Sequence, residues 1–155
     1  MHFSIIPACP VFKLSLEFPG ALDLKGQAYN NIGLCLIELE DFEAAISHFK
    51  TSLVIKKRLG NEPGQAKTWT NLGHCFSKWG KIKQSSFSYE QALKFSRKCH
   101  GNCHISVAIC LFFIGLNCPD SQKKLDNLTA ALDISVKLGQ TGQNLAKRIK
   151  KELKV

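Results

Sequence analysis

Acid is what this chain is short of: 12 Asp and Glu stand against 21 Lys and Arg, leaving a net charge of +9. Such an imbalance invites an anionic partner, whether nucleic acid or an acidic protein. The positive charge is spread over several segments, however, with one real cluster at the C-terminus. Also missing are a glycine-rich phosphate cradle and any His, Ser or carboxylate set fit for catalysis. Nothing in the sequence supports an enzyme, and no cofactor or metal is called for. The apolar stretch at Phe3–Phe12 is broken by Pro7 and Pro10 and has no Lys or Arg ahead of it. It lacks the form of a secretory signal and falls far short of the ~20 residues that span a bilayer. The 7 cysteines are odd in number and irregular in spacing. That excludes a disulfide scaffold and suits a reducing, cytoplasmic setting.

What is present is ordinary for a globular protein: 155 residues, 45% hydrophobic and 21% charged, enough for one continuous core. Within it a pattern recurs. Tyr29-Asn-Asn-Ile-Gly-Leu-Cys-Leu36 returns 40 residues later as Trp69-Thr-Asn-Leu-Gly-His-Cys-Phe76. Ala45, Phe49, Ser52 and Leu53 are likewise answered by Ser85, Tyr89, Ala92 and Leu93. An aromatic, a branched apolar residue plus glycine, then small and aromatic residues at helical spacing describe a two-helix unit. In such a unit Gly33 and Gly73 are expected to be buried at the helix crossing. Cys35 and Cys75, at equivalent places, are expected on the buried side.

These residues resemble the tetratricopeptide repeat. The usual period of that family is 34; the longer spacing resembles its 40-residue variant, found in spindle-orientation scaffolds carrying GoLoco motifs. The resemblance covers about residues 25–140, closely for two units and loosely for a third. It implies an all-α solenoid of about three helical hairpins plus a C-terminal capping helix, acting as a non-catalytic adaptor or scaffold.

Taken in order, residues 1–20 read as an irregular leader. The repeat domain spans 21–140, in units of about 21–60, 61–100 and 101–140, and 141–155 form a basic C-terminal helix. The expected helices run from about Ala21 to Leu39, Phe42 to Leu59, Gln65 to Trp79 and Ile82 to Lys98, with Asn61–Gly64 as loop. The third unit is degenerate. Its apolar run Ile105–Leu116 lacks clean glycine placement, whereas Leu128, Ala131 and Leu132 echo Tyr89, Ala92 and Leu93 with one residue deleted. Three repeats are about the minimum for a binding surface, so the chain is expected to be a fragment or isoform of a longer repeat protein.

The resemblance also points to a binding face. In the related scaffolds an Asn on the first helix faces the concave groove and holds an extended peptide through its backbone amides. Asn31 and Asn71 match that position, and an amide both donates and accepts. Gln27, Asn30 and Leu34 extend the face in the first unit; Lys67, Thr70, His74 and Lys78 extend it in the second. The three basic residues among them favour an acidic ligand. The carboxylate clamp of chaperone-binding relatives is absent, since Asn30 and Leu34 stand at its positions. The cluster Cys99-His-Gly-Asn-Cys-His104 suggests a metal, but no second ligand pair at zinc-site spacing accompanies it, and it reads as a loop. Lys147–Lys154 forms a basic helix whose Leu145, Ile149 and Leu153 suit packing on the third unit. A basic, helical nucleic-acid-binding protein is the alternative.

Overall fold

The structure, a computed structural model, describes residues 19–154. Apart from its last two positions, the expected leader lies outside these residues. Seven α-helices follow in order: α1 Pro19–Glu38, α2 Phe42–Arg58, α3 Glu62–Lys78, α4 Ile82–His100, α5 Ile105–Asn117, α6 Ser121–Lys137 and α7 Gln143–Leu153, with a 3₁₀ turn at Gly139–Gly142 before the last. No strand occurs among the described residues. Helices α1 and α2, α3 and α4, and α5 and α6 form hairpins, and each hairpin packs on the next through α2 on α3 and α4 on α5. The molecule is an all-α helical-repeat solenoid.

The connectors repeat because their chemistry does. Residues 40, 60 and 80 all adopt positive φ, at 61°, 64° and 75°. In each case the next amide reaches back to close the preceding helix: Asp41 to Leu36, Asn61 to Lys56 and Lys81 to Phe76. Glycine fills this place at 60 and 80; Glu40 occupies it in the first unit.

The start of α3 differs from expectation. Asn61–Gly64 is not loop: Asn61 caps the helix by accepting from the Gly64 amide at 2.8 Å. Pro63 sits in the first turn, where its missing N–H leaves nothing unpaired. A composition typical of loops is also the composition of a capped helix start.

Gly33 and Gly73 are buried, each beneath an aromatic ring. A Cβ on Gly33 would come 2.7 Å from Phe49, and one on Gly73 would come 2.9 Å from the Tyr89 ring. The third unit keeps the device in diluted form, with buried Gly115 against Leu128 at 3.1 Å. Its glycine stands 42 residues after Gly73, and that two-residue slip hides it from a 40-residue comparison.

One expectation fails: Cys35 is exposed while Cys75 is buried. The α2 helix covers Cys75, whose thiol lies 3.8 Å from the Phe42 carbonyl oxygen. Among the described residues no hairpin precedes α1, so the same face of the first unit is open. Ile32 and Leu72 show the same contrast, 44% against 2% exposed.

Two apolar clusters result. One joins Ile37, Ala45, Phe49, Leu72 and Cys75 across the first two hairpins. The other joins Val107, Phe112, Leu128 and Ala131 to Leu145 and Ile149 of α7, with Leu153 packed beside them.

Candidate functional site

The face built by the first helices α1, α3 and α5 carries two adjoining recesses, one at each hairpin junction. The first, of about 300 Å³, is lined by Gln27, Asn30, Asn31, Lys56, Asn61, Pro63, Gly64 and Lys67. The second, of about 220 Å³, is lined by Pro63, Ala66, Lys67, Thr70, Asn71, Ser96, His100, Ser106 and Ile109. Pro63 and Lys67 form the wall between them.

Beneath the first recess lies a polar network that joins the first two hairpins. Lys56, only 2% exposed, donates from Nζ to Thr68 Oγ1 at 2.7 Å. Asn30 is equally buried, and its Oδ1 accepts from Thr68 Oγ1 at 3.2 Å and from Asn71 Nδ2 at 3.0 Å. Ser52 donates to the Gly26 carbonyl at 2.7 Å. At the rim, Asp23 accepts from Asn61 Nδ2 at 2.9 Å and from Gln27 Nε2 at 2.6 Å. Burial holds the Lys56 ammonium below the usual lysine range; repulsion from Lys67 adds to this and Asp23 opposes it.

Six of the nine residues expected on this face line the recesses: Gln27, Asn30, Asn31 and Lys67 the first, Lys67, Thr70 and Asn71 the second. Their roles are not uniform. Asn31 is exposed, Asn30 is an internal brace, and the Asn71 amide is committed to Asn30. Leu34 packs against the first apolar cluster instead. Lys78 pairs with Glu38 at 3.0 Å. His74 is half-buried, and burial, then Lys78, lowers its proton affinity, with Glu38 opposing. The basic character of the face therefore sits at Lys56 and Lys67 rather than at His74 and Lys78.

Lys56 is not among the residues expected on this face, since it lies in the last turn of α2 rather than on a first helix. A signal was there. Ala45, Phe49, Ser52 and Lys56 follow one helical stripe, and the first three are core positions.

At the Cys99–His104 segment, His100 and His104 stack at 4.2 Å. His104 Nδ1 accepts from the Ser106 amide and so caps α5. Among the described residues no group of three or more His, Cys, Asp or Glu is placed to hold a metal. Nor is any described helix long and apolar enough to cross a membrane. On α7, Arg148 lies over the Phe112 ring at 5.1 Å.

Comparison with known proteins agrees with this architecture. Residues 25–98 match the family described as tetratricopeptide repeat. Over 81 residues, 52% of the chain, it is 32% identical to anaphase-promoting complex subunit cut9 of Schizosaccharomyces pombe. Over a segment of the same length it is 28% identical to outer dynein arm-docking complex subunit 4 of Homo sapiens. The match spans 12% of the length of each relative.

Proposed function

We propose that this all-α chain of tetratricopeptide-like repeats is a non-catalytic interaction module of the cytoplasm, binding a partner peptide in the concave groove along α1, α3 and α5. The observation that carries the reading is the recess built twice on one face, with first-helix residues at matching places: Gln27, Asn30 and Asn31 in one, Lys67, Thr70 and Asn71 in the other. An extended peptide presents side chains at a regular rise, and a regular array of recesses is what it requires. Both relatives are named as subunits of complexes, which favours a protein partner. Kinship with the 40-residue spindle-orientation variant and an acidic ligand belong to the same proposal.

The test is a cross-linking pull-down from cytosol, comparing wild type with the double substitution Asn31→Ala and Asn71→Ala. Asn31 would bond the ligand with its amide and Asn71 with the Oδ1 that its bond to Asn30 leaves over. Each lost hydrogen bond is worth about 0.5–1.5 kcal/mol, so partner recovery should fall about tenfold or more while helicity is unchanged. Full recovery of every partner by the double variant would refute the groove. Retardation of random-sequence DNA with a steep salt dependence would favour the basic, nucleic-acid-binding alternative instead.

A further inference from the structure

The two recesses are one feature in two chemistries. Thr70 and Ser96 stand where Asn30 and Lys56 stand one repeat earlier, 40 residues apart in each case. In α5 the correspondence slips to 42, so Cys110 takes the place of Thr68 and Ile109 that of Lys67. The placement agrees: Thr68 bonds Asn30 and Lys56, and Cys110 lies beside Thr70 and Ser96. Where the second recess has a serine and an isoleucine, the first has two ammonium groups.

Those two cations have no partner to match. Among the described residues no carboxylate forms an ion pair with Lys56 or Lys67. Asp23, whose charge reaches Lys56, has both oxygens engaged by Asn61 and Gln27. A buried charge is costly unless paired, and two like charges on one recess repel. One of the three Lys56 donors goes to Thr68, leaving donor capacity on the recess side. Two lysines and one aspartate leave a single uncompensated positive charge. One carboxylate balances it; a phosphate monoester, at about −1.5 to −2 near neutral pH, overshoots.

The geometry points to the first recess as the seat for the carboxylate of a Glu or Asp side chain in the partner peptide, with the second recess, across Lys67, taking a small uncharged side chain. This rests on the groove reading and adds to it the chemistry of two successive subsites. The second recess suits its occupant because Ala66 and Ile109 line it and Ser96 and Ile109 stand where the first recess has its two lysines.

The test is selection of a displayed library of random short peptides against the full-length protein. The expected outcome is a family of peptides with Glu or Asp at one fixed position. Changing that Glu to Gln should weaken binding to the wild type about tenfold and change it little for Lys67→Gln or for Lys56→Met, whose melting curve verifies folding. Two results overturn the proposal: no fixed acid among the selected peptides, or an unchanged Glu-to-Gln penalty in both lysine variants. In either case, if binding is still lost in Asn31→Ala plus Asn71→Ala, the groove survives and only the acid subsite falls. Binding indifferent to every one of these variants removes both. Tighter binding when phosphoserine replaces the acid overturns the carboxylate assignment.

Discussion

The junction between the first two hairpins and the junction between the second and third share a backbone plan and differ in what fills it. At the first, Asn30, Ser52, Lys56, Thr68 and Asn71 make a buried hydrogen-bonded network. At the second, the corresponding residues are Thr70, Ala92, Ser96, Cys110 and Phe113, and adhesion comes chiefly from Phe113 stacked on Tyr89 at 4.8 Å, with one hydrogen bond beside it from Asn117 Nδ2 to Ser85 Oγ at 3.0 Å. Polar networks specify one arrangement and cost heavily when half-satisfied; apolar stacking tolerates small changes. The repeat thus separates its tasks, with a polar junction that shapes a charged recess and an apolar one that holds the array together.

The largest effect that bears on this contrast is expected at the glycines. Tyr89 is fully buried between Gly73 and Phe113, so Gly73→Leu should destabilise by about 3 kcal/mol, the upper end of overpacking. Gly115→Leu meets the Leu128 side chain at 3.1 Å and the Asn127 Cβ at 3.3 Å, with no ring over it, and should cost about 1 kcal/mol, the lower end. Thermal melts of the two variants check the difference, and equal costs would mean that the third unit is packed as tightly as the second.

Next comes the network itself. Asn30→Leu leaves Thr68 and Asn71 without their shared acceptor and should cost about 1–3 kcal/mol. The matching change Thr70→Val loses a local bond to the Ala66 carbonyl and a weak contact with the Cys110 thiol, and should stay under about 1 kcal/mol. Urea unfolding midpoints would show the asymmetry; similar shifts would erase the distinction between the junctions.

Smaller and opposite in sign is the connector. Glu40→Gly relieves a left-handed residue and should stabilise by about 0.5–1 kcal/mol, while Gly80→Ala should destabilise by about 1 kcal/mol.

Thiol reactivity probes the same asymmetry without altering stability. Burial pushes the Cys75 and Cys110 thiols up to about 11, so both should react slowly near neutral pH, whereas exposed Cys35 should label quickly. Slow labelling at Cys35 would mean that something covers the open face of α1.

The smallest effect expected is of pH. Burial, then His100, holds His104 below its ordinary value of 6.5, and His74 is lowered too. The unfolded chain therefore takes up protons first as pH falls. The stabilising contribution is complete well above 6.5 and declines as acid is added through and below that value. His104→Asn, which keeps a cap acceptor for α5, should flatten the melting-temperature profile between neutral and mildly acidic pH.

Much of this architecture was legible because the packing device repeats in sequence. Gly33 with Phe49 and Gly73 with Tyr89 could be read directly, as could the Leu145 and Ile149 stripe of α7. Gly115 could not, since α5 slips by two residues and its partner is a leucine. Cys35 misled because equivalence of sequence is not equivalence of environment: among the described residues no hairpin lies before α1 as α2 lies before α3. The candidate site was legible as a face but not as a charge pattern. Asn31 and Lys67 were found from the first helix alone, while Lys56 reaches the recess from the second helix of its hairpin.

The central claim, that the α1, α3 and α5 face is the binding surface, is tested most directly by site-specific photo-cross-linking. A photoreactive residue is placed at exposed Asn31 on that face, or at exposed Ser47 on α2, in the full-length protein in cytosol. The account predicts adducts to a discrete partner from position 31, suppressed by an excess of a selected peptide, and only background from position 47. Equal adducts from both positions, or adducts from position 47 alone, would contradict it.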